Sequence, residues 1–222
     1  IAADWGSSSF RKGILPEYKG NRKERYEKQT PEEAQAFQEF MEEMERTLAL
    51  MDKRWCVLRF KGVEADDIAA YIVQNREKYN INDIWLMSTD RDWDLLINPN
   101  VSRFSYINRK ETTFENWSTT HNYSIEEYIT IKCLTGDTGD NVPGIPQIGP
   151  KRAEGLVKEF GSAFDIYDAA PFSSKYKYMQ SLNENISRLL TNYELMDLLA
   201  YCAEAIGSEN TVTIDNSLST YI

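Results

Sequence analysis

Residues 56–92 read CVLRFKGVEADDIAAYIVQNREKYNINDIWLMSTDRD. Cys56 to Phe60 is a short apolar run of strand length. Gly62-Val63-Glu64 then turns the chain, and Ile68, Ala69, Tyr71 and Ile72 recur at the spacing of one buried helix face from about Ala65 to Lys78. Ile84 to Ser88 is a second apolar run of strand length. Strand, helix and strand in so short a span predict an α/β fold with a mostly parallel central sheet flanked by helices. Glu64, Asp66 and Asp67 fall at the start of the helix, and Asp90 and Asp92 directly follow the second strand. In an open α/β sheet, strand ends converge on one crevice, which is where ligands bind.

Working outward, Ile1 to Ala3 reads as a strand ending at Asp4. Residues 11 to 28 hold Arg11, Lys12, Lys19, Arg22, Lys23, Arg25 and Lys28 against Glu17, Glu24 and Glu27, with Tyr18 and Tyr26 interleaved. Pro31 opens a strong helix in which Ala34, Phe37, Phe40, Met41, Met44, Leu48 and Met51 form an apolar stripe. That stripe predicts core packing. Residues 101–107 and 111–114 read as further strands, and Ser124-x-x-Glu127 is a capping box. After Leu134 the texture changes to Gly, Pro and Asp as far as Pro150, and helices dominate to about residue 205. The expected division is an α/β core over 1–131 and a helical region over 132–222.

The 222 residues are 41% hydrophobic and 27% charged, an ordinary globular composition. The sequence contains neither an apolar run long enough to span a bilayer nor a signal peptide pattern. It does not begin with Met, and its first residues already read as a core strand, so a preceding N-terminal segment is expected. Three cysteines without a CxxC pair argue against zinc and for a reducing cytoplasm. A single histidine excludes a His-rich metal site. The net charge of -10 is the wrong sign for a polyanion partner, but the basic residues are segregated into 11–28 and the cluster Lys151, Arg152 and Lys158.

The acidic candidates are Asp4, Glu64, Asp66, Asp67, Asp90, Asp92, Asp137 and Asp140. Two unit charges about 4 Å apart repel by roughly 4 kcal/mol at an effective dielectric of about 20. A convergent cluster of this kind needs cations or raised pKa values. Oxygen ligands without Cys or His select Mg²⁺, with Mn²⁺ able to substitute. Two such ions are the apparatus for in-line attack on a phosphodiester. Any one of these acids alone could be a helix cap or turn residue, and Asp66 and Asp67 suit the helix dipole. Asp90-x-Asp92-x-Asp94 opens like a calcium loop, but Leu95 stands where glycine is needed and Val101 where the final Glu is needed.

Residues 144–153, GIPQIGPKRA, form the most specific motif. Gly144 and Gly149 bracket a hairpin, and Pro150 suits the first turn of a helix. Backbone N–H groups at that start, with Lys151 and Arg152 beside them, would grip a phosphate without reading bases.

LPEYKGNR at 15–22, GVEADDIAAYIV at 62–73, STDRDWDLLI at 88–97 and TGDTGDNVPGIPQIGPKRA at 135–153 together resemble the flap endonuclease and 5′-3′ exonuclease family, particularly its small tailed-phage members. The resemblance implies a PIN-like 5′-nuclease core and a helical arch over about 16–52 that a 5′ single strand threads. It also implies a helix-three-turn-helix at Gly144 to Arg152 that binds a potassium ion through backbone carbonyls. One metal group is similar to Glu64, Asp66, Asp67 and Asp90, and the other to Asp92, Asp137 and Asp140; Asp4 matches an acid ending a core strand. Lys19 and Arg22 match basic residues that reach the scissile phosphate, Asp67 is counted with them as catalytic, Tyr18 matches an aromatic that stacks on a base, and Lys132 resembles a lysine near the duplex. Arg91 stands where a small residue is common, and could pair with a carboxylate or with DNA.

The activity implied is structure-specific hydrolysis of DNA phosphodiesters near single-strand/double-strand junctions, endonucleolytic and 5′-3′ exonucleolytic, in replication and repair. The expected partners are DNA with 5′ flaps or 5′ overhangs, with RNA-DNA a further candidate and no membrane. The protein is expected to act as a monomer unless a second chain supplies the N-terminal strand, in the cytoplasm, or the host cytoplasm if phage-encoded. Two rivals remain. A non-catalytic junction binder has no use for acids that repel DNA, and a PIN-like ribonuclease lacks the 144–152 hairpin.

Overall fold

The computed structural model describes residues 1–221, which group into two compact units. These units interleave along the chain. The first comprises residues 1–71, 139–141 and 202–222, and the second 72–138 and 142–201.

In the first unit, the segments expected as strands at 1–3 and 56–60 meet in one parallel bridge between Ala2 and Leu58. Leu58 N–H donates to the Ile1 carbonyl at 2.8 Å, and Ala3 N–H to the Leu58 carbonyl at 3.1 Å. Beyond the bridge the ladder gives way to a loop in which Gly62 N–H donates to Trp5 O at 2.8 Å. Helix α1 (Ser9–Ile14) starts at Ser8, whose hydroxyl accepts the Arg11 N–H. Its first residue is pinned to the turn before α4 (Ala65–Gln74) by Ser9 N–H donating to the Gly62 carbonyl at 2.8 Å. Gly62 has φ +74, and a Cβ there would lie 2.2 Å from the Ser9 hydroxyl. The positive φ is what favours glycine at this turn.

Helices α2 (Gly20–Glu27) and α3 (Pro31–Met51) follow. A complete capping box sets the start of α3: the Thr30 hydroxyl accepts from Glu33 N–H, and the Glu33 carboxylate accepts from Thr30 N–H, with Pro31 at the first helical position. The expected core packing of the α3 stripe is not observed. No residue of α3 is buried; Phe40 is 62% and Leu50 64% exposed. Phe37 instead meets the Tyr26 ring at 5.2 Å. Periodicity shows that a helix is two-faced, but whether a neighbour covers the apolar face is a tertiary fact. Helix α11 (Ser208–Tyr221) buries Ile214 and Leu218. The Tyr71 hydroxyl donates to Asp215 at 3.3 Å.

The second unit holds a three-stranded sheet in the order β1 (Ile84–Met87), β2 (Val101–Ser105), β3 (Lys110–Thr112). β1 and β2 are parallel, with Ile84 opposite Val101, and β2 and β3 are antiparallel. The sheet is therefore mixed: the expected parallel pair carries an antiparallel edge strand. The tight turn 106–109, with Arg109 at φ 54, returns the chain antiparallel, where a crossover helix would have kept it parallel. The strand ends are also shorter than the expected 101–107 and 111–114. Buried Arg103 on β2 is held bidentately by buried Asp94, at 2.5 and 3.0 Å, in the one-turn 3-10 helix Asp92–Leu96.

The Ser124/Glu127 capping box opens α5 (Ile125–Thr135) as predicted. A two-residue hairpin follows, β4 (Gly136–Asp137) against β5 (Val142–Pro143). Then come α6 (Pro150–Phe160), α7 (Ala163–Ala169), α8 (Lys177–Glu184), α9 (Ile186–Met196) and α10 (Leu198–Ile206). With α11, helices run to Tyr221, beyond the expected end near 205. Buried Asn192 on α9 donates to the Cys133 carbonyl at 2.8 Å and the Pro143 carbonyl at 2.9 Å, tying α9 to α5 and β5.

Candidate metal centre and phosphate grip

The turn before α4 and the first turn of α4 deliver Glu64, Asp66 and Asp67. Glu64 is 2% exposed and Asp67 fully buried. Buried carboxylates demand partners, and this unit supplies them from α1 and the segment that follows. Arg11, 3% exposed, grips Asp67 with both terminal nitrogens at 2.7 Å and reaches Glu64 Oε2 at 3.4 Å. Lys19 Nζ lies 2.6 Å from Glu64 Oε1 and 3.5 Å from Asp140 Oδ2. Arg22 reaches Asp140 Oδ1 at 3.0 Å. The Tyr18 hydroxyl, with one proton to give, stands 3.0 Å from Glu64 and 2.9 Å from Asp140. Ser8 N–H adds a 3.2 Å donor to Glu64.

The electrostatics follow from this packing. Burial alone would raise the Glu64 pKa, but Lys19, Arg11 and Ser8 N–H together bring it below the usual carboxylate range. Burial pushes the Asp67 carboxyl up, with Arg11 opposing. Desolvation would make Arg11 and Lys19 easier to deprotonate; the carboxylates more than offset it, so both stay cationic. Burial first, then Glu64, holds the Tyr18 phenol protonated. Tyr18 was expected to stack on a base, yet its ring is 3% exposed and its hydroxyl serves the carboxylates. Asp4, expected as a ligand, accepts the Ala65 N–H at 2.7 Å and so occupies the start of α4. Asp66 shares that first turn.

The second unit carries its own acidic group. The Asp90 carboxylate accepts from Asp92 N–H at 2.9 Å, in the loop after β1. Lys132, on α5, bonds the Asp92 carboxylate and lies 3.5 Å from Asp137 Oδ2. Burial raises the Asp92 pKa; Lys132 opposes, while Asp90 and Asp137 add to the rise. Lys132, expected at the duplex, is 8% exposed and is held cationic by Asp92 against the cost of burial. Two carboxylates, Asp92 and Asp137, face one ammonium here, and Asp90 adds a third negative charge nearby.

The donor chemistry suits a hard divalent cation: carboxylate oxygens only, partly desolvated, with mutual repulsion that an ion would relieve. Among the described residues, no three or more His, Cys, Asp or Glu side chains converge to hold an ion as they stand. Glu64, Asp67, Asp140, Asp92 and Asp137 are instead turned toward Arg and Lys partners.

Pro150 opens α6 as expected, but Gly144 and Gly149 bracket a turn, and the hairpin β4–β5 lies ahead of it. A Cβ on Gly144 would lie 2.2 Å from the Thr135 carbonyl oxygen, so only glycine lets this strand cross the end of α5. Ile145 and Ile148 are buried, Gly149 caps α6 and Pro150 is at its first turn. Lys151 and Arg152 are exposed. Arg152 donates to the Gln147 carbonyl at 2.5 Å and lies 4.8 Å over the Tyr178 ring. Arg188 donates to the Gly144 carbonyl at 3.1 Å. Sequence reasoning missed Arg11 as a partner of the acids, because its partners lie 53 and 56 residues away and it sits in a basic run. It also missed Arg188 and Asn192, which only tertiary packing reveals.

An α/β unit with carboxylates at its strand ends, joined to a glycine-bracketed turn ahead of a basic helix start, defines a metal-dependent nuclease of DNA. The family models agree: "5'-3' exonuclease, N-terminal resolvase-like domain" matches residues 1–127, and "5'-3' exonuclease, C-terminal SAM fold" matches 123–214. The chain belongs to the 5′-3′ exonuclease and flap endonuclease family. It is 40% identical to the flap endonuclease of Escherichia phage T5 over 97% of this chain and 74% of that protein. It is 29% identical to DNA polymerase I of Rhizobium leguminosarum over 89% of this chain, but only 18% of that polymerase. A crystal structure of the T5 protein with metal ions superposes at a TM-score of 0.90 and 39% identity, covering 98% of this chain and 82% of that one. A complex of the T5 flap endonuclease with DNA and metal ions superposes at 0.91, covering 97% and 80%.

Proposed function

We propose that this nuclease cuts DNA near a 5′ end at the junction of single and double strand, as a flap endonuclease and a 5′-3′ exonuclease, using two Mg²⁺ ions. The observation that carries the reading is the pair of acidic groups, Glu64, Asp67 and Asp140 in one unit and Asp90, Asp92 and Asp137 in the other. Each contains a buried lysine: Lys19 pairs with Glu64, and Lys132 with Asp92. Bound there, divalent ions would supply Lewis acidity to a phosphodiester and acidify water. Lys19 and Arg22 hold positive charge where phosphate charge develops, exchanging carboxylate partners for phosphate oxygens. The exposed Lys151 and Arg152 hold the duplex backbone without reading sequence. Residues 16–52, with α3 projecting no buried side chain, serve as the arch that admits a single strand. A potassium ion at the 144–149 turn, RNA-DNA as a further substrate, monomeric action and a cytoplasmic setting complete the reading.

The test is a 5′-flap cleavage assay in Mg²⁺ beside a binding assay in EDTA. Asp67→Asn and Asp137→Asn are expected to abolish cleavage and to leave flap binding in place. Wild-type turnover in both variants would overturn the assignment.

A further inference from the structure

Arg11 is buried, cationic and outside every role described for the reaction. It makes a two-pronged contact with Asp67, at 2.7 Å on each side, and a third contact with Glu64 at 3.4 Å. Planar guanidinium matched to planar carboxylate fixes orientation as well as charge, which an ammonium cannot do. The surroundings of Arg11 are themselves braced. The Ser8 hydroxyl caps its helix, Ser8 N–H donates to Glu64, and Ser9 N–H pins the helix to the Gly62 carbonyl. Gly62, at φ +74, holds a backbone conformation that other residues rarely adopt. Helix α1 thus aims one cation at the two most buried acids of the unit.

We infer that Arg11 is a positioning residue: it fixes the orientation of Asp67 and Glu64 and weakens the hold of these carboxylates on a divalent cation. The inference rests on the proposed function only in taking Asp67 and Glu64 as acids of the site. Two consequences oppose each other. Orientation favours turnover, so removing the fork costs rate. A buried positive charge beside the acids repels an incoming cation, so removing the charge tightens ion binding. A brace that merely kept the unit folded would weaken both together.

The experiment uses the full chain and three proteins: wild type, Arg11→Lys and Arg11→Gln. Mn²⁺ binding is measured by calorimetry without DNA, and kcat, KM and flap affinity on a 5′-flap substrate. Arg11→Gln is expected to bind Mn²⁺ about tenfold more tightly, as removal of a nearby unit charge predicts. Its kcat is expected to fall about 10²-fold, the scale of a misplaced reacting group, with flap affinity in EDTA unchanged. Arg11→Lys keeps the charge and removes the fork, so Mn²⁺ affinity stays near wild type while kcat still falls. Weaker Mn²⁺ binding by Arg11→Gln, or wild-type kcat in Arg11→Lys, overturns the inference. If the wild type binds Mn²⁺ but never cuts a flap, the proposed function fails, and the Mn²⁺ titrations alone still decide whether Arg11 opposes the cation.

Discussion

Each buried charge here is matched by a specific partner, and the partner sets the protonation. Tyr128, within the field of Asp92 and Lys132, shows how burial and neighbours act on a phenol. Burial, and then the Asp92 and Asp94 charges against Lys132, push its phenol up to about 12. A group whose folded pKa lies above its unfolded value near 10 binds more protons when folded in the interval between them. Its contribution to stability is therefore complete below pH 10 and is lost as pH rises toward 12. Tyr128→Phe is expected to flatten the fall in chemical-denaturation stability between pH 10 and 12 relative to wild type; parallel curves would count against it. At this scale the sequence was partly legible. The acids could be picked out because strand ends and a helix start position them. Their counter-ions could not, since Arg11 and Lys132 look like any other basic residue until the chain is folded around them.

Among the elements, the turn leading to α6 was read most directly, because glycine and proline act through their own backbone. The structure separates two glycines that the sequence treats alike. Gly144 has backbone atoms of Thr135 and Gly136 within 2.8 Å of any added Cβ, whereas Gly149 has nothing within 4 Å and an ordinary φ of -96. Gly144→Ala is expected to cost several kcal/mol, on the order of an overpacked core substitution, and to abolish flap binding with it. Gly149→Ala should change stability by less than about 1 kcal/mol. Thermal unfolding of both variants checks the contrast, and equal losses would show that the close crossing is not what holds the turn. The α3 stripe is the counter-case. Its period and its start at Pro31 were correct, but amphipathicity does not say what lies opposite. The direction of β3 was left open for a similar reason, since strand length and composition do not fix direction when a four-residue turn can reverse the chain.

Over the whole molecule, a chain of net charge -10 must meet a polyanion through local basic strips. Its binding should then be steeply salt-dependent yet indifferent to sequence. Replacing Lys151 and Arg152 together by alanine is expected to weaken duplex binding equally on unrelated sequences. It should also reduce the slope of log K against log salt by about two, one for each phosphate that is no longer neutralised. An unchanged slope would mean that neither side chain meets a phosphate. The partition of the chain carries a different implication, for the order of events during synthesis. The unit that contains Glu64 and Asp67 also contains residues 202–222, whose helix α11 buries Ile214 and Leu218 and receives the Tyr71 hydroxyl on Asp215. The second unit ends at residue 201. On the ribosome, the second unit can therefore complete itself first, and the residues translated earlier must wait for α11 to leave the exit tunnel.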